Sequence, residues 1–119
     1  MVRSLRAGEG ITDKSLREAI RRAEQGLIDA DLGGSLIKQR VARHGQGRSG
    51  GHRVIVAYRA MGRAIFLFGF AKKERDNVIS DELAFLLELA ENWLACGAAR
   101  IREETEAGNL KEIEDGEEA

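Results

Sequence analysis

Three strand-forming segments follow one another between residues 36 and 70, and their spacing constrains the fold more than any other feature of the sequence. Residues 36–42 alternate apolar and polar side chains, residues 53–59 are rich in β-branched and aromatic side chains, and residues 63–70 are apolar on both sides. Residues 60–62 form a short hairpin connection between the last two. The pattern predicts an antiparallel meander whose third strand is central and covered on both faces.

Two segments with apolar residues at spacings of three and four flank this predicted sheet. The first covers positions 16–27 and follows a helix cap at Thr12 or Asp13, and the second covers positions 83–94 and ends at Gly97. Both segments are therefore predicted to form amphipathic helices with one face against the sheet.

A length of 119 residues suits one domain with a single core. We assign residues 1–113 to this domain, with a further short helix over residues 98–107 and an edge strand over residues 110–113. Residues 114–119 are predicted to form an acidic, frayed tail.

A glycine-rich segment over residues 44–51 separates the first two predicted strands. Gly45, Gly47 and Gly50 match the dinucleotide-binding fingerprint by letter. The fingerprint requires a strand before it and a helix after it, whereas a strand follows here. We therefore predict a flexible loop and no nucleotide cofactor.

The charges are strongly segregated along the chain. Residues 1–75 contain 16 Lys and Arg against 7 Asp and Glu, and residues 76–119 contain 3 against 13. Residues 36–75 alone contain 10 basic residues and one acidic residue, Glu74. Such a dense basic stretch is typical of surfaces that bind phosphate groups, although it would also serve to solubilise one face of a sheet.

Several classes of function are disfavoured by what the chain lacks. The longest mainly apolar stretch without a charge, residues 64–71, has eight residues, whereas a membrane helix needs about 20. The N-terminus has no signal-peptide pattern, and a lone Cys96 forms no internal disulfide, which fits a reducing cytoplasm. His44 and His52 have no further ligands nearby in the sequence, so we expect neither a metal nor a cofactor. The carboxylates of the C-terminal half are scattered, which disfavours a divalent-metal nuclease.

The remaining chemistry is a phosphodiester site built from Arg, Lys and His. Cleavage of RNA without a metal needs a base for the 2′-hydroxyl, cations for the developing negative charge and an acid for the 5′-oxygen. Lys38 and Arg40 share one face of the first strand, Arg53 begins the second, and Lys73 and Arg75 follow the third. We expect these groups to converge at one end of the sheet.

Three motifs in this basic region occur together in one family of known proteins. They are Ile-Lys-Gln-Arg-Val-Ala-Arg at 37–43, Gly-Gln-Gly-Arg-Ser-Gly-Gly-His-Arg at 45–53 and Phe-Gly-Phe-Ala-Lys-Lys-Glu-Arg-Asp-Asn at 68–77. The set resembles the RelE-like toxins of bacterial type II toxin–antitoxin systems, and most closely the subgroup often called HigB-like. The resemblance runs from about residue 12 to residue 95.

This resemblance implies a fold, an activity and partners. The fold would be α+β, a small twisted antiparallel sheet with helices packed on one face. The activity would be that of a metal-free endoribonuclease that cuts mRNA, usually in the decoding site of the ribosome. The partner would be a cognate antitoxin, commonly a helix-turn-helix protein.

The resemblance also implies roles for individual residues. Arg53 resembles the arginine that contacts the scissile phosphate, Lys73 falls at a cationic position after the last central strand, and Lys38 belongs to a basic pair that can supply the base. His52 stands beside Arg53, where many members have Tyr, and completes the predicted catalytic set. The predicted RNA-binding set is Arg40, Arg43, Arg48, Lys72 and Arg75.

The chain departs from the family pattern at two places. The Tyr that some members carry shortly after Lys-x-Glu-Arg is absent from residues 77–80, so the missing acid or base is assigned to His52 or Lys38. Residues 1–11 are too few for both the first strand and the first helix of typical members. We therefore expect the domain to lack that strand and that helix, and the sheet to leave an edge open for homodimerisation or for antitoxin pairing.

Two other functions stay open from the residues alone. The chain could act by binding without RNA cleavage, as a gyrase-directed poison or as a catalytically inactive toxin relative, and the two departures favour this reading. It could also be a nucleic-acid-binding module unrelated to toxins. The positions of the Arg and Lys residues favour the endoribonuclease.

Overall fold

The computed structural model describes residues 2–4, 12–43, 47–59, 62–71 and 79–113. The elements, in chain order, are β1 (Val2–Ser4), α1 (Asp13–Glu24), β2 (Ala30–Gly33), β3 (Leu36–Arg43), β4 (Gly47–Tyr58), β5 (Ala64–Ala71), α2 (Ser80–Ala95), α3 (Ala98–Glu106) and β6 (Lys111–Glu112).

A six-stranded sheet in the order β2-β3-β4-β5-β1-β6 forms the middle of the molecule. The four strands β2 to β5 are antiparallel to their neighbours, β1 is parallel to β5, and β6 is antiparallel to β1. The predicted α+β class and the predicted antiparallel meander are confirmed.

Helices pack on both faces of this sheet. On one face, α1 buries its apolar stripe against residues that include Ile37, Val54 and Phe66. On the other face, α2 and α3 pack on residues that include Leu36 and Ile55, both with no exposed surface. The expectation of helices on a single face is corrected, because β4 and β5 are apolar on both sides and water must be excluded from each.

The middle of β5 contains a β-bulge. Ile55 pairs with Phe68, but the next residue of β4 pairs with Phe66, so Leu67 is the extra residue. Phe66 therefore belongs to the cluster under α1, whereas Phe68 and Phe70 belong to the cluster under α2 and α3. Without the bulge, the two-residue period of a strand would place all three phenylalanine rings on one face.

Two contacts position α2 on the sheet. Arg63, just before β5, donates from Nη1 to the carbonyl oxygens of Trp93 and Cys96 at the end of α2, each at 2.7 Å. Gly34, in the turn between β2 and β3, has a φ of +54°, and a Cβ there would lie 2.9 Å from Cδ2 of Leu87. Glycine suits this turn because it adopts a positive φ without strain, and a larger residue would also have to displace the end of the Leu87 side chain.

The N-terminal strand that was expected to be missing is present. Val2, Arg3 and Ser4 pair with Ala64, Ile65 and Phe66 of β5. Three residues suffice because a parallel neighbour and β6 hold them from both sides. β1 therefore closes the edge of β5 along residues 64–66. The open edge on which the predicted homodimerisation was based is not present there.

Two further differences concern the region before β4. Residues 47–51, predicted as part of a flexible loop, belong to β4, where Gly47 pairs with Arg43 across an irregularity in the register. β2 was not predicted at all, because Ala, Asp and Gly have low strand propensity and the strand forms only through pairing with β3.

Both flanking helices, the short third helix and the edge strand are confirmed, whereas the predicted acidic tail over residues 114–119 lies outside the described residues. Thr12 is the N-cap of α1, and its Oγ1 accepts a hydrogen bond from the backbone N of Ser15 at 3.1 Å. α3 and β6 lie within the predicted ranges. None of the helices in the described parts of the chain combines the length and the apolar character that a membrane span requires.

Candidate active site

Three cationic side chains lie near one another on the face of the sheet that also carries α2 and α3. Arg40 of β3 pairs directly with Arg53 of β4, and Lys38 pairs with Ile55, the next position on the same face. Side chains directly opposite in a ladder have Cβ atoms about 5 Å apart, and diagonal neighbours are about 7–8 Å apart. The three cations are therefore close enough to contact a single phosphodiester group.

Arg53 is the cation of this group that has an unsatisfied hydrogen-bond donor. Its side chain is half-buried, and its Nη1 is buried with no hydrogen-bond acceptor among the described residues. A buried charged donor without an acceptor is costly, and a like charge directly opposite adds to that cost. A phosphate oxygen would satisfy both, because guanidinium groups bind oxyanions through charge-assisted hydrogen bonds.

Arg40 is exposed and held at the edge of the site by Asp29. The Oδ2 atom of Asp29 accepts from the backbone N of Arg40 at 2.5 Å and lies 3.4 Å from its Nε. On the other side of the strand, Arg22 donates from Nη2 to the carbonyl oxygen of Arg40. Asp29 thus partly neutralises Arg40 and fixes the backbone beside Arg53.

Gln39 fixes Asp29 from inside the core. Its side chain has no exposed surface, and its Nε2 donates to the carbonyl oxygens of Ala19 at 2.9 Å and Leu27 at 3.1 Å. Its Oε1 accepts from the backbone N of Asp29 at 2.8 Å. One buried amide therefore connects α1, the segment after it and β3, directly behind the cationic face.

Two aromatic rings complete this face. Phe70 pairs with Arg53 and Phe68 pairs with Ile55, and the ring centroids are 5.9 Å apart with planes inclined by 42°. Phe70 is buried, whereas Phe68 is half-buried. The face therefore has cations on β3 and β4 and aromatic rings on β5.

Two groups with altered pKa values, the phenol of Tyr58 and the carboxyl of Glu104, lie away from this face. Burial, and then the nearby carboxylate of Glu24, raises the pKa of Tyr58, which packs with the α1 cluster. Hydrogen bonds from Asn109 and Arg100 lower the pKa of the half-buried Glu104. Their titration is local to α1 and α3.

A comparison with protein families decides the assignment. A family sequence model described as the RelE toxin of the RelE/RelB toxin–antitoxin system matches residues 2–113. The chain belongs to the RelE toxin family. Membership makes this RelE protein the toxin of a toxin–antitoxin system with an antitoxin as its partner. No curated protein matches the chain significantly.

The RelE fold brings together three of the nine predicted site residues as described side chains, namely Lys38, Arg40 and Arg53. Arg43 and Arg48 are placed through their backbones at the β3–β4 connection, because Arg43 pairs with Gly47. Lys72, Lys73 and Arg75 lie outside the described residues. The chain reaches them from Ala71, which pairs with His52 beside Arg53.

His52 is not brought to the cationic face of this RelE protein. It is buried, 8% exposed, and pairs with Val41 of the α1 cluster, so it points to the opposite side from Arg53. Adjacent residues of a regular strand cannot share a face, and the register is regular at this point.

Sequence reasoning missed Asp29, Gln39 and the two phenylalanines. A signal for Gln39 exists in the sequence, since it stands at an inward position between Ile37 and Val41 of an alternating strand. Phe68 and Phe70 were noticed only as part of a family motif. The side of the sheet on which their rings lie depends on the bulge at Leu67, and no periodicity in the sequence predicts that bulge.

Proposed function

We propose that this RelE-family toxin is a metal-independent endoribonuclease that cleaves mRNA on the ribosome. The observation that carries the proposal is the half-buried Arg53, whose Nη1 has no acceptor among the described residues and which faces Arg40 across the ladder. An anion-binding group placed beside further cations is what a phosphodiester transition state requires.

In the proposed reaction, the neighbouring 2′-hydroxyl of the RNA is the nucleophile. Lys38 Nζ takes its proton, the 2′-oxygen bonds to phosphorus, and the bond from phosphorus to the 5′-oxygen breaks. Arg53, assisted by Arg40, stabilises the negative charge on the non-bridging oxygens. Lys73, which follows β5 by two residues, gives a proton to the leaving 5′-oxygen. The products carry a 2′,3′-cyclic phosphate and a 5′-hydroxyl.

The contacts favour this division of roles over one that uses His52. The imidazole lies on the face covered by α1, away from Arg53, so the proposal gives it no step. Arg43, Arg48, Lys72 and Arg75 are proposed to bind the RNA backbone on either side of the cleaved bond. Such contacts position the substrate without reading its sequence.

The first test compares Arg53→Ala with Arg59→Ala, a matched control. Arg59 is exposed and directly follows the C-terminal end of the same strand. We expect R53A to slow the cleavage of end-labelled mRNA on programmed ribosomes by about 10²–10³-fold, because one transition-state donor is lost. R59A should cleave like the wild type, and thermal unfolding should show that both variants fold.

The chemistry of the product ends separates the alternatives. A 2′,3′-cyclic phosphate supports attack by the 2′-oxygen, whereas a 5′-phosphate would contradict the proposed reaction. Growth arrest with intact mRNA would favour a toxin that acts by binding alone. Cleavage of free mRNA at the same rate as ribosome-bound mRNA would remove the ribosome from the proposal.

The antitoxin is proposed to be a helix-turn-helix protein encoded beside this chain, as in the HigB-like subgroup. The support is the resemblance of residues 37–53 to that subgroup, and the subgroup assignment itself stays a prediction. Co-expression of the neighbouring gene should relieve the growth arrest that the toxin causes. Persistent arrest in the presence of that gene product would contradict the assignment.

A further inference from the structure

The bulge in β5 changes which side chains accompany Arg53. Phe66 packs under α1, but the extra residue Leu67 turns Phe68 and Phe70 to the cationic face. Bulges are enriched next to active sites, where they re-aim side chains. Two aromatic rings are thereby placed on the strand adjacent to the one that carries Arg53.

On the resulting surface, cations and aromatic rings lie side by side, as the phosphate and the base do in a nucleotide. Phosphate-binding cations lie on β3 and β4, and aromatic rings lie on β5, one strand spacing of about 4.8 Å further across the sheet. Phe70 is directly opposite Arg53 but only 6% exposed, so little of its ring can be reached. Phe68 is the more accessible of the two, and Phe70 supports it at a centroid distance of 5.9 Å.

We propose that Phe68 is the stacking platform for a nucleobase adjacent to the phosphate that Arg53 binds. The inference rests on the proposed RNA-cleaving function and adds to it a contact with the base. Single-stranded RNA is commonly held by bases stacked on aromatic side chains, next to a basic track for the backbone. Stacking tolerates every base but is stronger for the larger purines, so this position should prefer A or G over C or U.

The test uses a short single-stranded RNA with 2′-O-methyl groups, which cannot be cleaved, and with one 2-aminopurine whose fluorescence falls on stacking. Binding to the wild-type protein at low salt should quench the fluorophore. Phe68→Leu keeps an apolar side chain against the core but removes the aromatic face. We expect F68L to abolish the quenching and to raise Kd about tenfold, which lies within the range for one stacked base.

Salt dependence distinguishes stacking from phosphate contacts. F68L should leave the slope of log K against log salt unchanged, because no phosphate contact is lost, whereas R53A should reduce it by about one contact. Phe68→Trp should restore the quenching, which a merely structural role of residue 68 would not require. Phe85→Leu is the matched control, since Phe85 is 60% exposed on α2, and it should bind like the wild type.

The outcomes separate this inference from the function on which it rests. Suppose that R53A weakens binding, whereas folded F68L binds the RNA and quenches the fluorophore like the wild type. The stacking role of Phe68 is then wrong, and the phosphate site at Arg53 is supported. If R53A binds the RNA like the wild type, the phosphate site of the proposed function fails as well. If the wild type does not bind the free RNA, the platform is overturned, whereas the proposed cleavage on the ribosome is judged by the assay on programmed ribosomes. Loss of quenching in both F68L and F85L would show that the fluorophore reports general contact, and it would overturn the role of Phe68.

Discussion

At the scale of single residues, the buried side chain of Gln39 connects several parts of the structure through hydrogen bonds. Its amide contacts α1 through Ala19, the following segment through Leu27 and Asp29, and the cationic face through the bond between Asp29 and Arg40. All three hydrogen bonds involve backbone groups that would otherwise lose a partner. A buried polar side chain that is fully satisfied in this way fixes one arrangement of its neighbours.

Gln39→Leu should destabilise the protein, because it leaves the carbonyl oxygen of Leu27 and the backbone N–H of Asp29 without their side-chain partner. It also removes a second hydrogen bond from the carbonyl oxygen of Ala19, which keeps its partner within α1. Each buried group left unsatisfied costs about 1–3 kcal/mol, and these two groups are partly buried, so we expect a loss of about 2–4 kcal/mol in the free energy of unfolding. Urea denaturation measures it. Gln25→Leu, at the exposed end of α1, is the control. A Q39L protein within 0.5 kcal/mol of the wild type, roughly the range of neutral surface changes, would contradict this role.

At the scale of secondary-structure elements, α2 depends on a side chain that comes from elsewhere in the chain. Its last turn has no basic residue, and Cys96 follows it in an extended conformation. Arg63 supplies the missing positive charge by donating to two carbonyl oxygens at the C-terminal end of the helix dipole. The β4–β5 connection and the end of α2 are therefore stabilised together.

Arg63→Met keeps the length of the side chain but removes the donors, so the carbonyl oxygens of Trp93 and Cys96 lose their cap. We expect the free energy of unfolding to fall by about 1.5–3 kcal/mol, the range for hydrogen bonds from a charged donor. Chemical denaturation of the variant tests this value. Arg100→Met removes only an exposed pair with Glu104 and should cost less than about 1 kcal/mol. Equal losses in the two variants would argue against the capping role.

The elements also show how far the sequence alone could predict the structure. Alternation along residues 36–42 placed Lys38 and Arg40 on one face of their strand, because side-chain direction follows from backbone period. That Arg53 shares this face follows from the register between β3 and β4. The same rule puts His52 on the other face. β1 could not be predicted, since it forms through pairing with the distant strands β5 and β6. β2 could not be predicted either, because Ala, Asp and Gly have low strand propensity. The bulge at Leu67 could not be predicted either, because it is a property of the register between two strands.

At the scale of the whole molecule, the charges divide between the sheet and the C-terminal helices. Residues 1–75 are basic and residues 76–119 are acidic, and Glu88 and Glu91 lie exposed on α2. A polyanion is therefore favoured at the basic part of the surface and disfavoured at the acidic part. This division steers a polyanion to the cationic face and opposes its binding along α2.

Replacing Glu88 and Glu91 together with Gln should weaken this repulsion. We expect the double variant to bind the uncleavable RNA a few-fold more tightly than the wild type at low salt and as tightly at 0.5 M salt, where the screening length is about 4 Å. Cleavage at saturating toxin should not change, because neither residue is among the groups to which the reaction is assigned. Fluorescence titration across a salt series measures the effect, with Asn92→Ala as the neutral control. An affinity that is insensitive to both substitutions at low salt would contradict the steering argument.

The two ends of the described chain depend on each other. Ser4 pairs with Lys111 and Arg3 with Glu112, so β1 stands between β5 and β6. A protease or an engineered deletion that removes the first four residues would detach the C-terminal strand as well. The buried side chains beside that strand, Leu110 and Ile113, belong to the two different cores. Removal of a few N-terminal residues would thus loosen both cores of the protein at once, the one under α1 and the one under α2 and α3.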